Sequence, residues 1–183
     1  MKVDSTEIEG LEIYRRARYE DNRGNLEVLF DKSSIEISTM ETEIGFNRIL
    51  LVSSKKGTLR GIHKAKKAIN EVKLVTCVAG EVRDILVDLR PNSRTFKSHT
   101  EVMLSSTEGN AVLIPSGIGQ AYEVISEEAT LIYALNTCYL PENELIIDAL
   151  DPELKITWSS YSYRSPKDEA ARSLNSLVQD DLI

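Results

Sequence analysis

The chain has 183 residues, of which 42% are hydrophobic and 28% charged, with a formal net charge of -7 and a pI near 5.0. This length and composition are typical of a globular protein with a sizeable core. The acidic balance argues against binding to a nucleic-acid backbone, which requires a basic surface. The sequence contains no apolar run of the about 18 residues that a membrane span needs, and its polar N-terminus does not resemble a signal peptide. We therefore expect a cytoplasmic protein that binds neither nucleic acid nor membrane.

Short apolar or alternating segments follow one another along most of the chain, separated by Gly, Pro, Asn or Ser. In chain order the predicted strands are LEIYRRARYED, NLEVLF, NRILLVS, VKLVTCVAG, EVRDILVDLR, HTEVML, NAVLIP, AYEVI, TLIYALNTCYL and ELIIDAL. Strands at this spacing favour an all-β sandwich or barrel. We expect one domain over residues 1–183, with the barrel over about 1–160 and a tail over about 161–183.

Helical signal is confined to two segments. One is SIEISTMETE, residues 34–43, and the other is the tail, where Pro166 is a suitable first helical residue and residues 167–179 are rich in helix formers. The two cysteines, Cys77 and Cys138, lie in predicted strands and neither has a CxxC partner. We interpret both as reduced core residues.

The chain has only two histidines, His63 and His99, and they are 36 residues apart. Iron, manganese or zinc sites in small β-barrels usually use two or three histidines with a carboxylate. The sequence therefore disfavours a metal site, and we expect no metal or other cofactor.

Basic residues surround His63 in the sequence. They are Arg60, Lys64, Lys66, Lys67 and Lys73. Such a cluster could hold a diphosphate, or it could form a solvated face. Lys73 differs from the others because it opens an apolar strand, so we expect it to point into the barrel.

Seven motifs occur together in one order. They are GTLRGIH, KLVTCVAGEVRDILVDLR, RTF, VLIPSGIGQAY, LIYALNTCYLPENE, DPELKITW and SPKD. Each is weak alone, but the set resembles the dTDP-4-dehydrorhamnose 3,5-epimerase family over nearly the full chain. The resemblance implies a cupin-type jelly-roll barrel, in agreement with the strand pattern.

The resemblance also implies a proton-transfer mechanism. In this family a base removes a proton next to the C4 ketone of a nucleotide-linked 4-keto-6-deoxy sugar, and an acid returns one on the opposite face. The RGxH motif makes His63 the base, and imidazole suits this role because its pKa lies near neutral pH. The SPKD motif makes Asp168 the partner that orients His63. The position of Tyr133 in LIYALNTCY makes it the acid.

Five further residues match the substrate-binding positions of the family. Lys73 would stabilise the enolate oxygen, and Arg60 and Arg23 would contact sugar or diphosphate oxygens. Gln120 and Tyr139 would line the pocket, with Tyr139 as the rival candidate for the acid. The family exchanges N-terminal strands across a homodimer, and Arg23 lies on the exchanged segment. The implied partner molecules are thus a nucleotide-diphosphate sugar and a second copy of the chain.

The chain also departs from the family pattern. Gln120 stands where a second histidine is common, and Tyr122 stands where phenylalanine is common. The aromatic and glutamine that usually follow the base are Lys64 and Ala65, and Leu26 replaces a phenylalanine that packs on the nucleotide base. Two polar positions before RGIH correspond to Arg48 and Leu50. This pattern indicates retained proton transfer on an altered sugar or nucleotide.

Several alternatives stay open at the level of sequence. The chain could be a 3,4-ketoisomerase of the same fold, although such enzymes usually carry a histidine pair, or a non-catalytic sugar-nucleotide-binding cupin. Asp168 could merely cap the tail helix. Tyr133 could be a core aromatic residue, and Arg23 a simple turn residue.

Overall fold

The computed structural model describes residues 2–31 and 45–183, which form two main antiparallel sheets and a separate hairpin. The strands are β1 Lys2–Ser5, β2 Glu12–Arg15, β3 Ala17–Asp21, β4 Gly24–Val28, β5 Arg48–Lys55, β6 Leu59–Ala65, β7 Lys73–Ala79, β8 Glu81–Asp88, β9 His99–Ser105, β10 Asn110–Ile114, β11 Ile118–Val124, β12 Glu128–Leu135 and β13 Glu144–Ile146. The six-stranded sheet has the order β1-β2-β10-β7-β12-β5, and the five-stranded sheet has the order β13-β6-β11-β8-β9. Strands β3 and β4 form the hairpin. The predicted all-β jelly-roll architecture is confirmed.

The main hydrophobic core lies between the two large sheets. Val75 and Leu131 from the six-stranded sheet pack in one cluster with Leu86 and Tyr122 from the five-stranded sheet, and each is at most 1% exposed. Successive side chains of a strand point to opposite faces of its sheet, so every second side chain of these strands points inward. This core fixes the separation of the two sheets and hence the width of any cavity between them.

A second core covers the outer face of the five-stranded sheet. Leu174, Leu177 and Ile183 from the C-terminal segment pack there with Ile85 and Ala121. Strand β11 is consequently buried along its whole length, and β8 along most of it. A strand covered on both faces has no solvent side, so its sequence does not alternate cleanly.

The helical signal predicted for the C-terminal tail is confirmed and takes the form of two short helices. Helix α1 spans Pro166–Glu169 and α2 spans Leu174–Gln179. Ser165 and Ser173 each accept a hydrogen bond from a backbone N–H three residues ahead, so each begins its own helix. Between the helices the chain forms a β-bridge at Arg172. The helix expected at residues 34–43 lies outside the described residues.

The predicted strand LEIYRRARYED is divided at Arg16. Residues before it pair in the six-stranded sheet, and those after it enter the β3–β4 hairpin. The Arg16 side chain is buried and forms an ion pair with Glu27 at 3.0 Å, which ties the hairpin to the sheet. The two strands of the hairpin are joined by a turn at residues 22–23, followed by Gly24 at φ +126°.

Two further expectations concern cysteine and the membrane. Cys77 is buried in the main core as expected, but Cys138 is exposed because β12 ends at Leu135 and the predicted strand does not continue to it. Within residues 2–31 and 45–183, no helix combines the length and the apolar character that a membrane crossing requires.

Candidate active site

Residues of both main sheets and of the tail line a cavity of about 620 Å³. Seven of the eight predicted site residues lie in its wall: His63, Tyr133, Asp168, Arg60, Lys73, Gln120 and Tyr139. They come from β6, β7, β11 and β12, from the segment after β12 and from α1. The fold thus brings residues up to 108 positions apart into one concave site.

His63 lies on β6, the second strand of the five-stranded sheet, paired with Gln120 on one side and Ile146 on the other. Its Nε2 lies 2.6 Å from Oδ1 of Asp168. The imidazole side chain is 24% exposed, whereas the carboxylate is 1% exposed. A charged carboxylate this well buried requires hydrogen-bond partners, and His63 provides one of them.

The remaining partners of the Asp168 carboxylate are the Ser165 side chain and a backbone amide. The amide of Gly61, two residues before His63, donates to the Asp168 carboxylate. Burial alone raises the pKa of Asp168, but the hydrogen bonds from His63, Ser165 and Gly61 outweigh it and lower the pKa below its ordinary value. Asp168 is therefore an anion at neutral pH and can stabilise a protonated His63.

Gly61 is required by the close approach of two strands. It has φ +112°, and a Cβ at this position would lie 2.5 Å from the backbone oxygen of Gln120. Only glycine adopts this backbone conformation without strain and leaves room for the neighbouring strand. The glycine of the RGIH motif thus positions His63 against Asp168.

The helix cap is Ser165 and not Asp168. The Ser165 Oγ accepts a hydrogen bond at 3.1 Å from the backbone N–H of Asp168. The Asp168 carboxylate is thereby free of a capping role and points at His63. This geometry contradicts the alternative that Asp168 merely caps the tail helix.

The second ring nitrogen of His63 faces a carboxylate that the sequence did not single out. Nδ1 lies 4.0 Å from Oε1 of Glu144, whose other oxygen accepts a hydrogen bond at 2.6 Å from the ammonium of Lys167. If Nε2 carries the proton donated to Asp168, Nδ1 has the free lone pair. Nδ1 is then the nitrogen able to take a proton from a molecule in the cavity.

Tyr133 lies on β12 of the six-stranded sheet, whereas His63 lies on the five-stranded sheet. Burial raises the pKa of Tyr133 well above its ordinary value, and the neighbouring Tyr122 and Asp84 raise it further. The phenol therefore stays protonated at neutral pH and is available as a proton donor. The base and the acid candidates line one cavity from different sheets.

Lys73 is the first residue of β7 and is 9% exposed, as expected for a lysine that points into the barrel. Its ammonium forms an ion pair with Glu71 at 3.4 Å. The ammonium is a buried cation in this cavity wall and can stabilise negative charge that develops on a bound molecule.

Gln120 lies beneath the site and donates from Nε2 to both oxygens of Asp84, at 3.0 and 2.9 Å. Burial raises the pKa of Asp84 to about 8, against the opposing effects of Gln120 and the charge of Lys73. Asp84 was not among the residues predicted for the site. It could have been found, because Asp84 lies midway between Val82 and Leu86 on the inward-facing positions of β8, where a carboxylate is costly.

Further aromatic and basic side chains belong to the cavity wall. Tyr139 is 48% exposed, and the Arg48 guanidinium lies over its ring at 4.6 Å from the centroid. Strand β12 ends at Leu135, so Tyr139 lies in the segment after the strand that carries Tyr133. The Arg60 side chain lies close to the phenol of Tyr122 and opens to solvent.

Arg23 lies elsewhere. It occupies the turn of the β3–β4 hairpin, its side chain is 86% exposed, and it pairs with Asp21 at 2.5 Å. Arg23 does not belong to the wall of the large cavity of its own chain.

Comparison with known proteins gives matches over the whole chain. The profile of the dTDP-4-dehydrorhamnose 3,5-epimerase family matches residues 5–176. The dTDP-4-dehydrorhamnose 3,5-epimerase of Escherichia coli (strain K12) is 33% identical over 185 residues and covers 100% of both chains. NovW, a 4-keto-6-deoxy sugar epimerase of Streptomyces spheroides, superposes with a TM-score of 0.94 at 31% identity, covering 100% of this chain and 92% of that one. RmlC from Legionella pneumophila Philadelphia 1, solved with dTDP-4-keto-L-rhamnose, superposes with a TM-score of 0.91 at 34% identity and covers 100% of this chain and 96% of that one.

Proposed function

Because the chain belongs to the dTDP-4-dehydrorhamnose 3,5-epimerase family, we propose that it is an isomerase that inverts C3, C5 or both in a nucleotide-linked 4-keto-6-deoxy sugar. The observation that carries this proposal is the 2.6 Å contact between His63 and Asp168 in a cavity that also holds Tyr133. These three groups are the ones that a two-base proton transfer requires. The reaction belongs to the biosynthesis of deoxysugars.

The first step is removal of a proton from the carbon beside the ketone. His63 takes this proton on Nδ1 and becomes an imidazolium, and the electron pair of the broken C–H bond moves to the C4 oxygen to give an enolate. The buried Asp168 carboxylate stabilises the imidazolium through Nε2. Lys73 stabilises the enolate oxygen through its ammonium.

The second step is protonation from the opposite face. The electron pair of the enolate returns to the carbon and forms a new C–H bond with the phenolic proton of Tyr133. The tyrosinate then regains a proton from solvent, and His63 releases its own. Because His63 and Tyr133 belong to different sheets that line one cavity, the two protons can be exchanged on opposite faces of a sugar held between them.

The mouth of the cavity is suited to a nucleoside diphosphate. Arg60 provides a guanidinium for phosphate oxygens, and the exposed Tyr139 ring stacked on Arg48 provides an aromatic surface. Relatives of this chain are named for dTDP-linked sugars, and the Legionella pneumophila protein was solved with one. A dTDP-linked sugar is therefore the proposed substrate.

The proposed active form is a homodimer. Tyr19 and Leu26 form a cross-strand pair on the β3–β4 hairpin and are 64% and 62% exposed. Ile49 and Leu51 are 72% and 69% exposed on the outer face of β5, the edge strand of the six-stranded sheet. An edge strand with exposed apolar side chains is a typical pairing surface. In such a dimer the hairpin would deliver Arg23 to the cavity of the second copy.

Deuterium uptake from heavy water tests the proposed function. The dTDP-linked 4-keto-6-deoxyglucose is incubated with the protein, and NMR locates the deuterons in the sugar. We expect deuterium at C3, at C5 or at both, with the ketone remaining at C4 and the configuration inverted at a labelled carbon. Absence of exchange in the presence of demonstrable binding would favour a non-catalytic binding protein. Movement of the carbonyl to C3 would favour a ketoisomerase.

A further inference from the structure

Glu144 is a second carboxylate beside His63, and the sheet pairing explains its position. It is the first residue of β13, which pairs with β6 so that Ile146 lies opposite His63. Because side chains two residues apart on a strand share a face, Glu144 leaves β13 on the same face as His63. Its Oε1 lies 4.0 Å from Nδ1 of His63. This is the nitrogen that takes the sugar proton in the reaction proposed above.

Lys167 fixes the other oxygen of Glu144. Its ammonium donates a hydrogen bond at 2.6 Å to Oε2, and this contact raises the pKa of Lys167. Lys167 directly precedes Asp168, whose Oδ1 lies 2.6 Å from Nε2 of His63. One turn of α1 therefore provides the carboxylate at one ring nitrogen and the cation that holds the carboxylate near the other. Oε1 of Glu144 is left facing the imidazole.

The two carboxylates differ in their access to solvent. The side chain of Asp168 is 1% exposed, whereas that of Glu144 is 23% exposed, and both line the large cavity. A proton passed to Asp168 would have no direct route to water. The Lys167 side chain that holds Glu144 is 61% exposed, so water screens its charge and Glu144 keeps the ability to accept a proton. Glu144 therefore connects the imidazole to the solvent.

The proposed reaction requires such a connection. Each inversion transfers a sugar proton to His63 and removes a proton from Tyr133, so both groups must be reset before the next turnover. Of the three carboxylates that the described residues place in the wall of the large cavity, Glu71 pairs with a lysine and Asp168 contacts Nε2. The third is Glu144, beside the nitrogen that carries the proton.

We propose that Glu144 takes the proton from Nδ1 of His63 after each inversion and passes it to water, an inference that rests on the proposed function. The N–H bond breaks with its electron pair remaining on the nitrogen, and Oε1 uses a lone pair to form an O–H bond. A water molecule then removes this proton and restores the carboxylate. Glu144 acts through His63 and not on the sugar, so it is a positioning residue for this proton.

Glu144→Gln tests this inference, because the amide has the shape of the carboxylate but cannot accept the proton. Product is measured by rapid quench after the protein is mixed with excess dTDP-linked 4-keto-6-deoxyglucose, in a buffer too bulky for the cavity. We expect the first product at each active site to form at the rate of the unaltered protein, and later turnovers to be slower by about threefold or more. Formate, a carboxylate small enough to reach Nδ1, should restore the later turnovers.

Two variants separate proton release from a structural effect. Glu142→Gln changes an exposed carboxylate two residues earlier that is not part of the cavity wall, and it should leave both the first and the later turnovers unchanged. Lys167→Gln breaks the same ion pair but keeps the carboxylate of Glu144. It should therefore affect all turnovers alike and show no response to formate.

The inference is overturned if Glu144→Gln slows the first turnover as much as the later ones, because that result would indicate a misplaced His63. It is also overturned if formate has no effect on Glu144→Gln, or if this variant and the unaltered protein have equal rates throughout. In these cases an active unaltered protein would leave the proposed function intact. An unaltered protein that binds the sugar nucleotide but forms no product would instead overturn the proposed function, and the inference with it.

Discussion

His63 Nε2 lies 2.6 Å from Asp168 Oδ1, although the two residues are 105 positions apart in the chain. The contact joins β6, the second strand of the five-stranded sheet, to the short helix α1 of the tail. One consequence is that the tail, which covers the outer core through Leu174 and Leu177, also orients the proposed base. Catalysis and the docking of the tail are therefore linked.

Replacement of either member of this pair should impair proton transfer. We expect His63→Asn to lower turnover by about 10²–10⁴, the range typical of losing a general base. Asp168→Asn should also lower turnover, because the amide keeps the shape of the carboxylate but cannot stabilise an imidazolium. Steady-state rates with the dTDP-linked 4-keto sugar measure both effects.

The double variant provides the control for this prediction. If the two residues act as one unit, His63→Asn combined with Asp168→Asn should be no slower than His63→Asn alone. Multiplicative losses would indicate that Asp168 acts independently of His63. A rate near that of the unaltered protein in His63→Asn would remove the histidine from the mechanism.

Tyr133 and Tyr139 should behave differently when each is replaced by phenylalanine. We expect Tyr133→Phe to abolish product formation yet leave deuterium exchange measurable, because His63 can still remove and return a proton on its own face. Tyr139→Phe should change substrate affinity more than the exchange rate, since Tyr139 is half exposed at the cavity wall. Parallel measurement of product and of deuterium wash-in separates the two roles. The opposite pattern would identify Tyr139 as the acid.

The sequence predicted the fold and the site correctly where a local residue pattern and the family resemblance agreed. Alternating strands predicted the barrel, and the resemblance carried by the RGIH and SPKD motifs predicted that His63 and Asp168 meet. Strand ends were less predictable. Nothing in TLIYALNTCYL indicates that pairing stops at Leu135, because the stop depends on where the neighbouring strands β5 and β7 begin. The exposure of Cys138 follows from that stop.

Other features depended on contacts that are distant in sequence. Ser165 and Ser173 both match the N-cap pattern, and the tail divides because each of them starts a helix. Glu144 could not be linked to His63 from sequence, since β13 reaches β6 only through sheet pairing. The proposed place of Arg23 depends on a second copy of the chain, which a single sequence describes only through its family.

The buried Asp84 predicts a characteristic pH dependence of stability. Its pKa is raised by burial to about 8, above the ordinary value near 4, so the folded state holds a proton that the unfolded state releases. Between about pH 4 and pH 8 the free energy of unfolding contributed by this group should therefore fall as pH rises, by up to about 1.4 kcal/mol per pH unit.

Asp84→Asn should remove this dependence, because the amide keeps the polar contact with Gln120 without a titrating group. Urea unfolding at pH 5, 6.5 and 8 measures the effect, and the variant should gain stability relative to the unaltered protein as pH rises. Glu101 is an exposed carboxylate on the neighbouring strand β9, so Glu101→Gln is the control. This variant should not change the pH dependence of the free energy of unfolding. If the free energies of unfolding of Asp84→Asn and the unaltered protein differed by the same amount at all three pH values, the raised pKa of Asp84 would be contradicted.

The proposed homodimer predicts a mass in solution of twice the 20.5 kDa of one chain. Leu51→Glu places a charge on the exposed face of the edge strand β5 and should shift the mass toward that of a monomer. Met103→Glu, on the edge strand β9 of the other sheet, is the matched control because Met103 is also an exposed apolar residue. Light scattering at micromolar concentration measures all three proteins. A monomeric mass for the unaltered chain would refute the dimer.

Mixing of two inactive variants tests whether Arg23 serves the second copy. Arg23→Ala should lower activity at least tenfold if its guanidinium holds substrate phosphate, and His63→Asn removes the base. In a mixed dimer, the Arg23→Ala subunit keeps its own His63 and receives Arg23 from its His63→Asn partner. One complete site results, so co-expressed mixed dimers purified with two different tags should recover up to half of the unaltered activity per dimer. If Arg23 acted within its own chain, every mixed dimer would contain one site without the base and one without the arginine, and activity would stay at the level of the Arg23→Ala variant or below.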